Sequence, residues 1–277
     1  RLPKRVVIVA NHQVYPDFVF IWILAYLAKF HGAMMIFLKD GFKNTPIVGW
    51  GMRFFDFVFL RRRWEADREL ITRRVNLLKS GWEREDPLAM LIFPEGTILT
   101  EGTKETMIRY AEKEQLTIPL PRHCLLPRIT GIQHVLRELR DGDVDYLYDV
   151  TVAFEGVPPG SYPHEIYTLR SVYMLGGAPP AIHLHIRRWH IATQLPSIDD
   201  TDAFTDWLRA RWMEKDRLLD RFYTTGSMAE GSTPTERAAQ TVVRPVAARN
   251  ALVELLPIFL VALVYIVLWR YISCLLW

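Results

Sequence analysis

The sequence predicts an α/β layered domain, a sheet flanked by helices, followed by a C-terminal membrane segment. Three observations carry that expectation. Short apolar or β-branched runs alternate with longer helical stretches through about residue 190, the pattern of a sheet with crossover helices. Several of these runs stop abruptly in Pro, Gly or Asn turns. The last 23 residues are almost wholly apolar.

In chain order, residues 5–10 (RVVIVA) read as a buried strand. Pro16 and Asp17 then open a helix over residues 18–30. Its first eleven residues are apolar on every side, yet too few to cross a bilayer, so they are expected to be buried or to dip into an interface. Strands at 33–38 and 57–60 flank a bent connection with Pro46, Gly49 and Gly51 that contains a short helix. A polar helix over 66–80 stops at Gly81. A strand at 89–93 ends in Pro94-Glu95-Gly96-Thr97, and a helix follows over 104–115. Residues 124–126 are a short apolar step before Pro127-Arg128. A helix capped by Thr130 spans 130–139, and a strand spans 146–154. Loops at 156–163 and 176–180 bracket the approach to a strand at 181–189, and an amphipathic helix covers 199–223. Residues 224–250 form a linker with Gly, Ser, Thr and Pro and few large apolar side chains.

Composition narrows the function classes. Half of the residues are hydrophobic and 23% charged, which excludes a disordered chain. The net charge of +3, from 34 basic and 31 acidic residues, is too balanced for a dedicated nucleic-acid binder. Two cysteines, Cys124 and Cys274, give neither a disulfide framework nor a CxxC pair, and fit a reducing, cytosol-facing setting. Mean hydropathy, +0.04, is high for a soluble enzyme. The excess sits at 255–277, LLPIFLVALVYIVLWRYISCLLW, where Arg270 is the one charge. A membrane helix needs about 20 such residues, and an Arg near one end reaches the headgroups. A buried core helix or a re-entrant segment is the alternative, given Pro257. The chain opens just before a strand and stops in apolar text, so it reads as a piece of a longer protein.

Four constellations carry chemistry. In NHQVYPD, His12 and Asp17 form a general-base unit if the carboxylate fixes the imidazole tautomer. Five helical steps of about 100° would put them about 140° apart. They meet only if His12 lies in the strand-to-helix turn and Asp17 in the first helical turn. The blander alternatives are a turn histidine and a helix-capping aspartate. The Phe93-Pro94-Glu95-Gly96-Thr97 turn places a carboxyl, a hydroxyl and backbone N–H groups at a strand's C-terminal edge, where α/β sheets bind ligands; it also reads as an ordinary turn. Arg61-Arg62-Arg63 lie in a stretch, residues 39–74, with nine basic against five acidic side chains, an excess of +4. Guanidinium forks suit phosphate, although such a run is often a solvated face. Strand alternation would send Arg62 away from Arg61's side. In LPRITG, Pro127 stiffens a turn before a helix whose N-terminus favours an anion. His183 and His185 share one strand face and His190 follows, but no carboxylate or Cys nearby completes a ligand pattern, so no metal is implied. GxSxG, P-loop and GxGxxG motifs are absent from the sequence.

The order NHQxxxD, FLRRR, FPEGT, LPRITG resembles the glycerolipid acyltransferase family over residues 5–155. The text PIVGWG at 46–51, together with Phe59-Leu60-Arg61-Arg62 and Leu126-Pro127-Arg128, is most similar to its lysocardiolipin and lysophosphatidylinositol branch. Phe18 after Asp17 departs from that branch, which has Trp there, and bears on packing rather than chemistry. The resemblance implies an acyltransferase domain at 1–223, the linker at 224–250 and an anchor at 251–277. It implies transfer of an acyl group from acyl-CoA, a co-substrate with no further cofactor, to the free hydroxyl of a lysophospholipid or lysophosphatidic acid. His12 would take the hydroxyl proton and Asp17 would orient it. Arg61 with Glu95, Gly96 and Thr97 would hold the acceptor's phosphate-glycerol part, and Pro127 with Arg128 would serve the acyl-CoA side. Membrane lipids are the implied surroundings, in the endoplasmic reticulum with the catalytic part facing the cytosol. An inactive, membrane-anchored lipid-binding protein of the same fold is the alternative reading.

Overall fold

The computed structural model describes residues 3–45, 48–80, 87–140, 143–158, 160–230 and 241–245. Two compact units divide the chain, Arg1–Met228 and Ala229–Trp277. The apolar segment 251–277 lies outside the described residues. Among the described residues no helix is long and apolar enough to cross a membrane.

The first unit is a six-stranded sheet between two helical layers. Its strands are β1 (Arg5–Ala10), β2 (Met34–Lys39), β3 (Val58–Leu60), β4 (Leu88–Ile92), β5 (Tyr146–Phe154) and β6 (Ile182–His190), in the order β3-β2-β4-β1-β5-β6. All pairs are parallel except β5 with β6. Central β1 aligns Val7 with Met90 on one side and Leu147 on the other. Parallel central strands are buried on both faces, which is why β1 and β4 read as continuous apolar runs rather than as alternation.

The period of two nevertheless sorts side chains between two cores. Val7, Val9, Met90, Ile92 and Leu147 face one layer of helices, and Val6, Ala10, Ala89, Leu91 and Val150 face the other. The second layer holds α1 (Asp17–Leu27) and α2 (Val48–Phe54), through Phe20, Ile21, Ala25 and Met52. Here Gly49 is required by contact: a Cβ would stand 2.5 Å from the Lys43 carbonyl oxygen. The first layer holds α3 (Trp64–Ser80), the long C-terminal helix, and the helix that follows the LPR turn.

That helix is α5 (Ile129–Glu138); before it, α4 (Glu101–Lys113), capped by Thr100, packs through Met107 in a small separate cluster with Leu99 and Leu125. The N-cap of α5 is Arg128, two residues before the expected Thr130, which lies inside the helix; Arg128 has the extended backbone of a cap residue (φ −86°, ψ 124°), so the helix starts at Ile129. Three short helices, α6 (Pro163–Ile166), α7 (Leu169–Met174) and α8 (Ile191–Gln194), were not legible from periodicity, being too short to show one. The last helix, α9 (Thr201–Thr225), starts on the Asp200 cap and stops at left-handed Gly226. Its buried Phe204, Leu208, Trp212, Lys215, Leu219 and Phe222 recur every three or four residues, one face laid on the sheet. The layered domain therefore continues past residue 190, through α9.

Candidate active site

The C-terminal ends of β1, β3 and β4 gather the turns that the sequence singles out. Beyond β1, Asn11 acts as an extra ladder rung: its amide nitrogen donates to the Val152 carbonyl (3.0 Å) and its amide oxygen accepts from the Val152 N–H (2.7 Å). That pins the next residue, His12, at the sheet edge. Pro16 is the N-cap of α1 and Asp17 its first residue. The two side chains meet: His12 Nδ1 lies 2.8 Å from Asp17 Oδ2. The same oxygen accepts the N–H groups of Gln13 (2.6 Å) and Val14 (3.0 Å). With Nδ1–H given to the carboxylate, Nε2 keeps the lone pair that a general base needs. Phe93 stacks on the imidazole at 4.5 Å and 25°, holding its plane. Asp17 is fully buried, and burial raises its pKa against the lowering pull of His12.

Glu95 lies beneath this dyad and ties three segments together. One oxygen accepts from the His12 N–H (3.2 Å) and the Trp212 indole N–H (3.1 Å), and the other from the Leu125 N–H (3.1 Å). Burial pushes its carboxyl up to about 8, outweighing those donors. The folded value exceeds the ordinary 4.5, so the stability this group contributes is full below that pH and is lost as pH rises through about 8. The Tm of the parent chain is expected to fall across that window more steeply than that of Glu95→Gln, as calorimetry at a series of pH values would show.

The 121–128 loop is fixed from behind by α9. Asp216 accepts from the N–H groups of Arg122 (2.8 Å) and His123 (2.6 Å), and the Gln13 amide donates to the His123 carbonyl (2.5 Å). Cys124 is fully buried, and burial, then Glu95 and Asp216, raises its thiol well above the ordinary value. It is no nucleophile.

Two guanidinium groups meet at the Gly96 turn. Arg62 donates to the Gly96 carbonyl at 2.7 Å. Gly96 takes φ +71°, and a Cβ there would lie 3.5 Å from Arg128 Nε, so both guanidinium groups flank one turn. Partial desolvation first and the charge of Arg128 second lower the Arg62 pKa. Neither arginine has a carboxylate partner among the described residues. Two converging unpaired guanidiniums favour a phosphate.

An imidazole–carboxylate pair and two guanidinium groups thus share one sheet edge. The family model "Acyltransferase" matches residues 1–155, more than half of the chain. The chain belongs to this acyltransferase family. A second model, "Acyltransferase C-terminus", matches residues 173–247. The 2-acyl-1-lysophosphatidylinositol acyltransferase of Saccharomyces cerevisiae is 31% identical, over 82% of this chain and 63% of its own length. The lysocardiolipin acyltransferase 1 of Danio rerio is 35% identical over 80% and 53%. A probable 1-acyl-sn-glycerol-3-phosphate acyltransferase of Arabidopsis thaliana is 33% identical over 84% and 57%. The chain therefore spans less than two thirds of the length of these relatives. No solved structure matches it.

Within this family member the structure redistributes the residues expected to bind substrate. Arg61 is exposed and engages the fold through its backbone, whose N–H donates to Asp67 at 2.7 Å. Arg62, expected on the far side, is the arginine at the Gly96 turn. Strand alternation ends at Leu60, and Arg62 adopts φ +60°, which reverses its direction. Glu95 is 2% exposed with both oxygens engaged, so it acts by holding the His12 turn. Gly96 and Thr97 are half-buried at the site's floor. Pro127 is buried, and Arg128 joins Arg62 beside Gly96 rather than standing apart from it. Among the described residues no group of three or more His, Cys, Asp or Glu gathers to hold a metal, and His183 lies 3.9 Å from Glu155.

Trp212 was missed because 117 residues separate it from Glu95 and its spacing on α9 marks only a core face. Trp212→Phe keeps an aromatic side chain but deletes the donor and leaves a small void. It is expected to cost about 1–3 kcal/mol of stability and to lower kcat with little change in KM, read by denaturant unfolding and steady-state rates. Tyr223 was missed for the same reason. Burial first, then Asp17, raises its pKa, so it stays a donor to Gln13 at 3.3 Å, behind the dyad turn.

Proposed function

We propose that the protein moves a fatty acyl group from acyl-CoA onto the free hydroxyl of a lysophospholipid or lysophosphatidic acid. The observation that carries this reading is the 2.8 Å His12–Asp17 pair beside two guanidinium groups without carboxylate partners among the described residues. The acceptor's phosphate lies between Arg62 and Arg128, which brings its hydroxyl to His12 Nε2. The imidazole takes the hydroxyl proton as the oxygen attacks the thioester carbonyl, and Asp17 stabilises the imidazolium. The tetrahedral intermediate collapses, the carbon–sulfur bond breaks, and the departing thiolate takes the proton from His12. A thioester is already activated, so the step needs neither a metal nor an acyl-enzyme. The names of the relatives support a lysophospholipid or glycerol-phosphate acceptor.

The reading extends to location: residues 255–277 anchor the chain in the endoplasmic reticulum membrane. Arg244 and Arg249 precede that segment and keep residues 1–250 on the cytosolic side. Protease added to intact microsomes is expected to digest residues 1–250; protection of them overturns the orientation. For the reaction, the deciding measurement is transfer from radiolabelled acyl-CoA to a panel of lysophospholipids with membranes carrying the protein. Absence of product from every acceptor refutes it.

A further inference from the structure

Helix α1 carries no charged side chain from Phe18 to Ala28. A helix apolar around its whole circumference is ordinarily enclosed. Here only Phe20, Ile21 and Ala25 of that run are buried, while Tyr26 and Leu27 are 55% and 44% exposed. The uncovered side continues onto α2. Trp22 meets Phe55 edge-on at 4.9 Å, and Phe55 meets Phe54 edge-on at 5.9 Å. Trp50 lies one turn before Phe54, so both project from one side of α2; they are 72% and 86% exposed. Tyr26 lies one turn beyond Trp22 on α1. Five aromatic rings thus form a continuous face, not the scattered apolar residues of an ordinary surface.

Its charges are mostly basic. Residues 18–56 hold four basic side chains, Lys29, Lys39, Lys43 and Arg53, against two acidic, Asp40 and Asp56, a net of +2; Asp56 is paired with Arg74 at 2.7 Å. Lys43 occupies Asp40 at 2.6 Å. Lys29 closes the exposed end of α1, and Arg53 stands between Trp50 and Phe54. Protein–protein interfaces are depleted of lysine. Trp and Tyr rings rimmed by cations match the headgroup level of a bilayer instead.

We propose that the α1–α2 face docks on an anionic phospholipid surface and feeds the catalytic dyad along α1. The rings of Trp22, Tyr26, Trp50, Phe54 and Phe55 enter the interface while Lys29 and Arg53 meet lipid phosphates. Asp17 is the first residue of α1, and eleven residues at 1.5 Å span about 16 Å. A lysolipid therefore moves from the bilayer to His12 beside apolar side chains throughout. The feeding role rests on the acyltransferase reading above; the docking does not.

The test places an environment-sensitive fluorophore at Phe54→Cys in a Cys274→Ser background of the whole chain, with Leu77→Cys on α3 as the control, an exposed site on the opposite layer. Vesicles of phosphatidylcholine with phosphatidylserine are expected to shift emission to the blue at position 54 but not 77. Brominated lipids should quench it, and vesicles without phosphatidylserine should act more weakly. Trp50→Asp with Phe54→Asp is expected to slow turnover of a vesicle-borne acceptor about tenfold or more, sparing a short-chain acceptor dissolved as monomers. A probe at 54 that stays in water on vesicle-bound protein overturns the proposal. So does one already buried without vesicles, which would mean that another segment or a second copy covers the face. Should neither acceptor turn over, the acyltransferase reading fails while the fluorophore still decides the docking.

Discussion

His12→Ala is expected to lower kcat by about 10²–10⁴-fold, the usual contribution of a positioned general base. The fold should survive. The backbone N–H of His12 still reaches Glu95, and the side chain lost is 19% exposed and packed chiefly against one ring, Phe93. Asp17 needs a gentler probe. Asp17→Ala would strand the buried N–H groups of Gln13 and Val14, each costing about 1–3 kcal/mol. Asp17→Asn avoids this: its oxygen takes the place of Oδ2, and its NH2 takes that of Oδ1, which has no hydrogen-bond partner among the described residues. The substituted amide would keep the imidazole tautomer and lose the charge that stabilises the imidazolium, so kcat should fall severely at nearly unchanged Tm. Because base and carboxylate act as one unit, the double variant should be scarcely slower than His12→Ala. Wild-type turnover by folded His12→Ala protein sinks the mechanism.

What was legible in the sequence was local. β1 was readable to the residue because a buried parallel strand is a short apolar run with sharp ends, and the bounds of β5 were set by the turn residues on either side of it. The His12–Asp17 pairing followed from a spacing that fails within one helix and works across a Pro16 boundary. Illegible were interactions set by tertiary placement. Nothing around position 62 announces a left-handed residue, and that single dihedral turns Arg62 rather than Arg61 toward the Gly96 turn. Glu95 sits in a turn motif that looks made for solvent, yet Trp212, Leu125 and His12 close over it. The motif-bearing stretch, 5–155, therefore depends on α9, which carries no motif at all.

The placement of Arg62 yields the second large effect. Arg62→Ala is expected to raise the acceptor KM about ten- to a hundredfold, the loss of a charge-assisted pair worth about 1.5–3 kcal/mol. The KM for acyl-CoA is the internal reference and should move less. Arg62→Lys should recover only part, since an ammonium lacks the fork geometry. Arg61→Ala should stay near the parent, because the fold uses the Arg61 backbone, not its exposed side chain. A further variant separates function from folding. Arg62 holds φ +60°, a region that costs an L-residue roughly 1 kcal/mol or more and a glycine almost nothing. Arg62→Gly should therefore leave Tm unchanged or slightly higher while the acceptor KM rises as in Arg62→Ala. Opposite signs in stability and affinity are what a strained binding residue produces. If Arg62→Gly instead loses stability and both substrates suffer equally, Arg62 is a packing residue, and the phosphate site belongs elsewhere.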